Sequence, residues 1–317
     1  MAQALMSLEM TPKTPADREK LARGLQVLAA EDPHLDVRPG AEADRTVIGA
    51  TSEAHLEEII VRLKREFEVE ASVSRPTVVY VETLARPAEG SAKHVTMSHG
   101  PGEYGHVTLR VYPAERGSGY TFEDSTVDGT IPKRFMASID SGIRESMAKG
   151  VLNAYPIVDL RVEVDGGSYH DTDSTDAAFR SAAAMAFREA AKRAQPLVLE
   201  PVVQVVVRLE DTHINAVLEE FLDRKAEIQT RTRESGQEVI TARVPLSHLF
   251  GFECQLRAQT HGHASCSVRF AYYQPVVQGP GDDDDHTSRV GVPRRPVPNP
   301  RSSKASVPEP DDSNTEV

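Results

Sequence analysis

SEAHLEEIIVRLKREFEVEASV, residues 52–73, sets Leu56, Ile59, Ile60, Leu63 and Phe67 on one helical face. It then switches to the period of two, with Val69, Ala71 and Val73 alternating as a strand. Upstream, Thr14-Pro15-Ala16-Asp17 supplies an N-cap, a proline at the first helical position and an acid in the first turn. Leu21, Leu25 and Leu28 continue that helix at helical spacing, and Glu31-Asp32-Pro33 stops it. An apolar stretch at Leu5 to Met10 precedes it, and short strands are predicted over Leu35–Arg38 and Arg45–Ala50. The order is βαββαβ, a compact α+β unit with both helices on one face of a sheet.

A second unit follows from about Pro76. Strands are predicted over Thr77–Thr83, around Val107, Leu109 and Val111, and around Val158, Leu160, Val162 and Val164. The last two sets alternate apolar with polar, the pattern of half-exposed strands. One helix carries Phe135, Met136, Ile139, Ile143 and Met147 and ends at Gly150; an Ala-rich helix spans about Thr175–Arg193. Two loops rich in turn formers separate these elements, Ser98 to His106 and Gly166 to Ser174. The third unit opens on the β-branched run Val202–Val207. It continues with a helix near His213–Arg224, strands over Ile228–Thr232 and Glu238–Val244, a helix over Leu246–Arg257, and a strand in which Cys266, Val268, Phe270 and Tyr272 alternate. This is βαββαβ again, the architecture of the first unit with a different sequence.

From Gly279 onward the composition turns to Pro and polar residues, with an acidic run at Asp282–Asp285 that reads as a solvated charge block. Such a segment buries too little surface to offset its ordering entropy, so a disordered tail is predicted. The expected divisions are therefore 1–75, 76–196, 197–277 and the tail 278–317.

At 317 residues, with 39% hydrophobic and 26% charged residues, the chain has the composition of a soluble globular protein of two or three domains. No apolar run is long enough to span a bilayer, and MAQALMSLEMTPKT lacks a basic n-region and a long apolar h-region. Two cysteines make no disulfide framework and match no zinc spacing. These features predict a cytoplasmic protein with no membrane partner. The net charge of -12 argues against nonspecific binding to nucleic acid, so any RNA contact has to come from a few local residues.

Catalytic motifs are missing. There is no GxxxxGK[ST] phosphate loop, no G-x-S-x-G elbow and no H-E-x-x-H, so neither an enzyme nor a bound cofactor is expected. Asp171-x-Asp173-x-Thr175 has the spacing of a calcium loop, but its sixth position is Asp176 and its twelfth Ala182, and no metal is expected there. Asp173 or Ser174 reads instead as a cap on the following helix. His261-Gly262-His263 reads as a turn, and Cys254 and Cys266 as core. For the glycines between Gly100 and Gly105, sequence leaves two readings open. One is a hairpin connection; the other is a tip that approaches an RNA backbone where no Cβ intervenes, with Tyr104, His106 and His170 offering stacking and hydrogen-bonding groups.

An ordered series of segments carries a resemblance. Pro12-Lys13-Thr14, Lys20-Leu21, Ala30-Glu31-Asp32-Pro33, His55-Leu56-Glu57 and Leu63-Lys64-Arg65-Glu66-Phe67 are followed by Tyr104-Gly105-His106-Val107, Gly142-Ile143-Arg144-Glu145 and Gly167-Ser168-Tyr169-His170-Asp171. Leu199-Glu200-Pro201, Phe250-Gly251-Phe252 and Leu256-Arg257 close the series. Together they resemble domains III, IV and V of the elongation factor G family, the GTP-dependent ribosomal translocases, over roughly Leu5 to Val276. The resemblance implies an α+β chain: a ferredoxin-like domain, a ribosomal-protein-like arm domain with an unusual βαβ crossover, and a second ferredoxin-like domain. The GTPase domain and the β-barrel domain II are expected to be absent.

The resemblance implies that Ser98, Gly100, Gly102, Tyr104, Gly105, His106, Gly167, Ser168, Tyr169, His170, Asp171 and Asp173 form the tip of the arm. In the family that tip enters the decoding region and meets transfer RNA and messenger RNA. Arg257, Thr260, Gly262, His263 and Ser265 correspond to a segment facing large-subunit ribosomal RNA. The partners implied are the ribosome and, for a split factor, a separately encoded GTPase half. The alternative is a regulatory protein that keeps the fold without ribosome binding. Two departures bear on this choice. Pro101 and Glu103 stand where the family usually has a basic residue and a glutamine, which weakens phosphate contact. Ala50-Thr51-Ser52-Glu53 replaces the family's glycine-methionine-glycine-glutamate.

Overall fold

The computed structural model describes residues 4–40, 42, 44–96, 102–127, 130–234 and 236–276. The predicted tail, 278–317, lies outside them.

The first domain is built as predicted. Strand β1 (Met6–Pro12), helix α1 (Pro15–Glu31), β2 (Asp36–Pro39), β3 (Thr46–Ala50), α2 (Glu53–Phe67) and β4 (Ala71–Val73) form an antiparallel sheet of order β2-β3-β1-β4. Thr14 caps α1: its hydroxyl oxygen accepts the Asp17 amide at 3.1 Å and donates to the Asp17 carboxylate at 2.6 Å. Ser52 caps α2 by accepting from the His55 amide at 3.3 Å, which gives one departure from the family pattern a local role.

The segment Thr77–Thr83 is not one strand of the middle domain. It divides into β5 (Thr77–Val78), which pairs with β1, and β6 (Val81–Leu84), which pairs with the first strand of the third domain. The middle sheet is made instead by β7 (Ala88–Thr96), β8 (Glu103–Pro113), β9 (Tyr120–Asp124) and β10 (Leu160–Ser168), in the order β7-β8-β10-β9. Strands β9 and β10 are parallel, and α3 (Met136–Lys149) lies between them in the chain, forming the βαβ crossover. Strands β7 and β9 were not foreseen. The reason for β7 is its small-residue face: a Cβ on Gly90 would stand 2.2 Å from the Ala186 carbonyl oxygen of α4 (Asp176–Arg193). Val158 stays outside β10 because Asp159 takes a left-handed conformation, φ 56°, which breaks the strand.

The third domain repeats the first. Strands β11 (Pro196–Leu209), β12 (Glu227–Glu234), β13 (Gln237–Pro245) and β14 (Ser265–Pro275) pair in the order β12-β13-β11-β14, with α5 (Ile214–Asp223) and α6 (Phe252–Gln259) on one face. The helix predicted over Leu246–Arg257 is interrupted. A short 3-10 turn at Leu246–His248 is followed by Gly251 at φ +71°, and only then does α6 begin. Cys254 is exposed rather than core; Cys266 is half-buried against the core, and burial, then Glu253, pushes its thiol up to about 12. The alternation of β14 fails after Phe270, where a bulge opposite Val202/Val203 leaves Phe270 46% exposed and turns Tyr273 inward.

Domains one and three share a continuous apolar core. At their junction the Gly251 amide donates to the Glu53 carboxylate at 2.9 Å.

Candidate nucleic-acid interface

In the middle domain, β8 runs from Glu103 toward the junction with the third domain, where Arg116 donates to the Tyr273 carbonyl at 2.6 Å. Strand β10 returns antiparallel to it, so Ser168 ends opposite His106. The two sequence-distant loops therefore meet at the end of the sheet away from that junction. Both strands extend further than predicted: Tyr104, Gly105 and His106 belong to β8, and Gly167 and Ser168 to β10. Gly167 is required because a Cβ there would lie 2.0 Å from the His106 carbonyl oxygen. Ser98, Gly100 and Pro101 lie outside the described residues.

The strand ends are stitched by polar contacts. The Tyr104 amide donates to the Asp173 carbonyl at 2.7 Å, and Tyr104 Oη lies 2.7 Å from Ser168 Oγ. Ser168 Oγ is 2.9 Å from His106 Nδ1; His106 Nε2 is 3.2 Å from Ser91 Oγ, which is 2.8 Å from the Thr108 hydroxyl. A neutral His106 with its proton on Nε2 satisfies this chain: Tyr104 donates to Ser168, Ser168 to Nδ1, and Nε2–H to Ser91. Burial, and then the nearby Lys93, hold His106 below its usual value, the direction this network favours. Ser91 and His94, which stands 3.4 Å from Glu103, were missed because β7 carries no apolar period that sequence could expose.

The second loop holds itself. Ser174 Oγ accepts the His170 amide at 2.9 Å, and His170 Nδ1 lies 3.1 Å from the Thr172 hydroxyl and 3.2 Å from Asp173. The helix cap is Thr175, which accepts from the Ala178 amide at 3.1 Å, rather than Asp173 or Ser174. His170 and Tyr169 are exposed, and the Tyr104 and His170 rings stand 6.4 Å apart. Asp171 is exposed and Gly102 half-exposed, its Cβ direction facing Asp173 at 3.4 Å. Gly105 is buried against the backbone of α4 and offers no surface. The outcome is a polar, partly aromatic end with acidic side chains and no lysine or arginine over 102–106 or 166–176.

The second predicted set lies in the third domain, at the turn from α6 to β14. Arg257, Gly262, His263 and Ser265 are exposed there. Thr260 is fully buried, its hydroxyl donating to the Leu256 carbonyl at 2.7 Å and accepting the Ala264 amide at 3.3 Å, so it holds the turn rather than lining its surface.

The depressed His106 value has a measurable consequence. A group lowered on folding contributes stability above its ordinary value of 6.5 and loses it as pH falls through the folded value. Wild type should therefore lose more stability than His106→Gln between about pH 7.5 and about pH 5 in urea unfolding. Equal losses would detach His106 from the network.

A βαβ-crossover domain joined in sequence to two βαββαβ domains, with Tyr104–His106 and Gly167–Asp173 meeting at the free end of its sheet, matches the family models of a translation elongation factor. Residues 1–75 match the family model described as Elongation Factor G, domain III; residues 76–195 match Elongation factor G, domain IV; and residues 197–283 match Elongation factor G C-terminus. The chain belongs to the elongation factor G family. It is 42% identical over 278 residues to elongation factor G of Thermotoga petrophila, covering 87% of this chain and 40% of that relative, with the same figures for Thermotoga maritima. A solved crystal structure from Thermus thermophilus superposes with a TM-score of 0.70 at 32% identity, over 87% of this chain and 41% of its own. The chain thus spans about two fifths of the length of the relatives it matches. Among the described residues no helix is long and apolar enough to cross a membrane.

Proposed function

We propose that this chain binds the ribosome and places the end of its middle domain against the RNAs of the decoding region. The observation that supports this best is the hydrogen-bonded joining of the two loops through Tyr104, Ser168 and His106, which presents the exposed His170 and Tyr169 on an ordered frame. Stacking and hydrogen-bonding side chains of this kind suit irregular RNA. The action is positional: a ligand that occupies a site only in one arrangement of the ribosome shifts the population toward it, and no acid, base or nucleophile is needed. On this reading the chain turns over no GTP alone, and turnover requires a separately supplied GTPase half.

Co-sedimentation of the purified chain with vacant and transfer-RNA-loaded ribosomes tests the proposal, with intact elongation factor G as competitor. His170→Ala should weaken ribosome binding several-fold while shifting Tm by less than about 2 °C, because its side chain is exposed. A large loss of Tm with unchanged binding would make His170 a structural residue. The Glu103 carboxylate, with no lysine or arginine in the segments 102–106 and 166–176, favours a second reading, a regulator that keeps the fold without ribosome binding. That reading predicts no co-sedimentation even at low salt, where screening is weakest.

A further inference from the structure

We propose that Glu82 is the joint that fixes the direction of the middle domain relative to the third, and with it the position of the end that carries Tyr104 and His170. Glu82 lies in β6, which pairs with the start of β11: Glu82 stands opposite Val198, Val81 opposite Leu199 and Thr83 opposite Leu197. Farther along, β11 is the inner strand of the third domain's sheet, between β13 and β14. The Glu82 main chain is thus fixed to the third domain. Its side chain is fixed to the middle domain, because the carboxylate accepts the amides of Val151, Leu152, Asn153 and Tyr155 in the turn that follows α3.

The turn is shaped for this grip. Gly150 at φ +66° and Ala154 at φ 61° take left-handed conformations that curl successive peptide N–H groups round one point. A Cβ on Gly150 would stand 2.1 Å from the Tyr155 carbonyl oxygen and 3.0 Å from Glu82 Oε1, so glycine is needed to close the curl. Tyr155 leaves the turn and packs against the core shared by domains one and three, its ring 5.4 Å from that of Tyr80. Glu82 is fully buried, so these bonds form where water competes little.

The chain itself crosses between the two domains at 85–87 and at 194–195. The amides of Ala85 and Arg86 both donate to the Ala194 carbonyl at 3.1 Å, so the two crossings are tied together and act as one hinge. A tie through a third segment is what sets the angle, and the turn after α3 is that segment. Main-chain bonds between Glu82 and Pro156 and Val158 continue the grip, and the carboxylate orders the turn that leads into them. The other side-chain tie, from exposed Arg116 to the Tyr273 carbonyl, is a single bond on a long side chain. Small losses at the joint are magnified by length. The 11 residues of β8, at about 3.3 Å each, put the far end roughly 30 Å away, and a swing of about 10° moves that end by about 5 Å. The joint acts within the chain, whatever the end of the middle domain binds.

The test is double electron–electron resonance on the full chain. One nitroxide sits on exposed Cys254 of the third domain and the other on a Val95→Cys substitution near the end of the middle domain, in a Cys266→Ala background. With Glu82 in place the distance distribution should be narrow. Glu82→Ala should broaden it by about 5 Å or more, the displacement of a roughly 10° swing. Glu82→Gln, which keeps one acceptor oxygen, should broaden it about half as much and carries the test should Glu82→Ala not fold. A second label pair, Val95→Cys with exposed Lys192→Cys in a background lacking both native cysteines, lies wholly within the middle domain and should be unchanged by either substitution. That pair separates a joint from a residue that only stabilises the middle domain. An unchanged cross-domain distribution in the folded variants overturns the proposal. So does equal broadening of the pair within the middle domain.

Discussion

Glu82→Ala is expected to destabilise the protein by about 4 kcal/mol, a large share of the roughly 5–15 kcal/mol that holds a domain folded. Glu82 is fully buried in β6, and its carboxylate accepts the amides of Val151 at 2.7 Å, Leu152 at 3.1 Å, Asn153 at 2.8 Å and Tyr155 at 3.3 Å. Its own backbone spans the same junction, donating to the Pro156 carbonyl at 2.8 Å and accepting the Val158 amide at 2.8 Å. Converging peptide N–H groups form a cradle for the carboxylate, and no cation pairs with it among the described residues. Removing it strands peptide donors in a dry site, each at about 1–3 kcal/mol, partly relieved by any water that enters. Glu82→Gln keeps one acceptor oxygen and should cost roughly half as much. Urea unfolding followed by circular dichroism would measure both. Hydrogen exchange should show the amides of Val151 to Tyr155 losing protection first. A change below about 1 kcal/mol for Glu82→Ala would mean that these amides are already served by solvent.

Gly105→Val should destabilise the middle domain by about 3 kcal/mol and disorder the proposed RNA-facing end. A Cβ at Gly105 would stand 2.7 Å from the Ala178 carbonyl carbon and 2.8 Å from the Phe179 amide nitrogen, both main-chain atoms of α4. Backbone cannot rotate away as a side chain can, so β8 or α4 has to move. The same helix meets Gly142 of α3, where a Cβ would be 2.2 Å from the Arg180 carbonyl oxygen. The buried alanines at 178, 182, 183, 186, 190 and 191 are therefore the other half of a close approach between α4 and its neighbours. Because Gly105 sits between Tyr104 and His106, displacing it breaks the contacts of both with Ser168. Gly102→Ala is the control: its Cβ would meet Asp173 at 3.4 Å, an ordinary contact, and the cost should stay within about 0.5 kcal/mol. Similar thermal shifts for the two substitutions would contradict the close-packing account.

Much of the candidate interface could be read from residue types, since Tyr104, His106, Ser168 and His170 stood out as polar and aromatic groups among turn formers. Their separate parts could not. Tyr104 and His106 proved to be strand residues joined through Ser168, while Gly105, chosen for the same loop, faces a helix. Ser91 escaped notice because β7 has only small residues where a strand normally shows an apolar stripe. Glu82 escaped notice because a glutamate in Val79-Tyr80-Val81-Glu82-Thr83 reads as the solvent side of an alternating strand. Periodicity reports which face a residue is on, and not whether peptide donors wait there.

The sequence by itself determined the two βαββαβ domains, because period and capping are local: Leu56 to Phe67 mark a helix face and Thr14 a cap wherever the chain lies. It also determined the family, through an ordered run of short matches. Only the tertiary structure shows that β5 and β6 join different sheets, that glycines on three elements clamp α4, and that Arg45 meets Glu9. Strand pairing and charge pairing are set by groups far apart in the chain, whose meeting depends on register and on which edge is free.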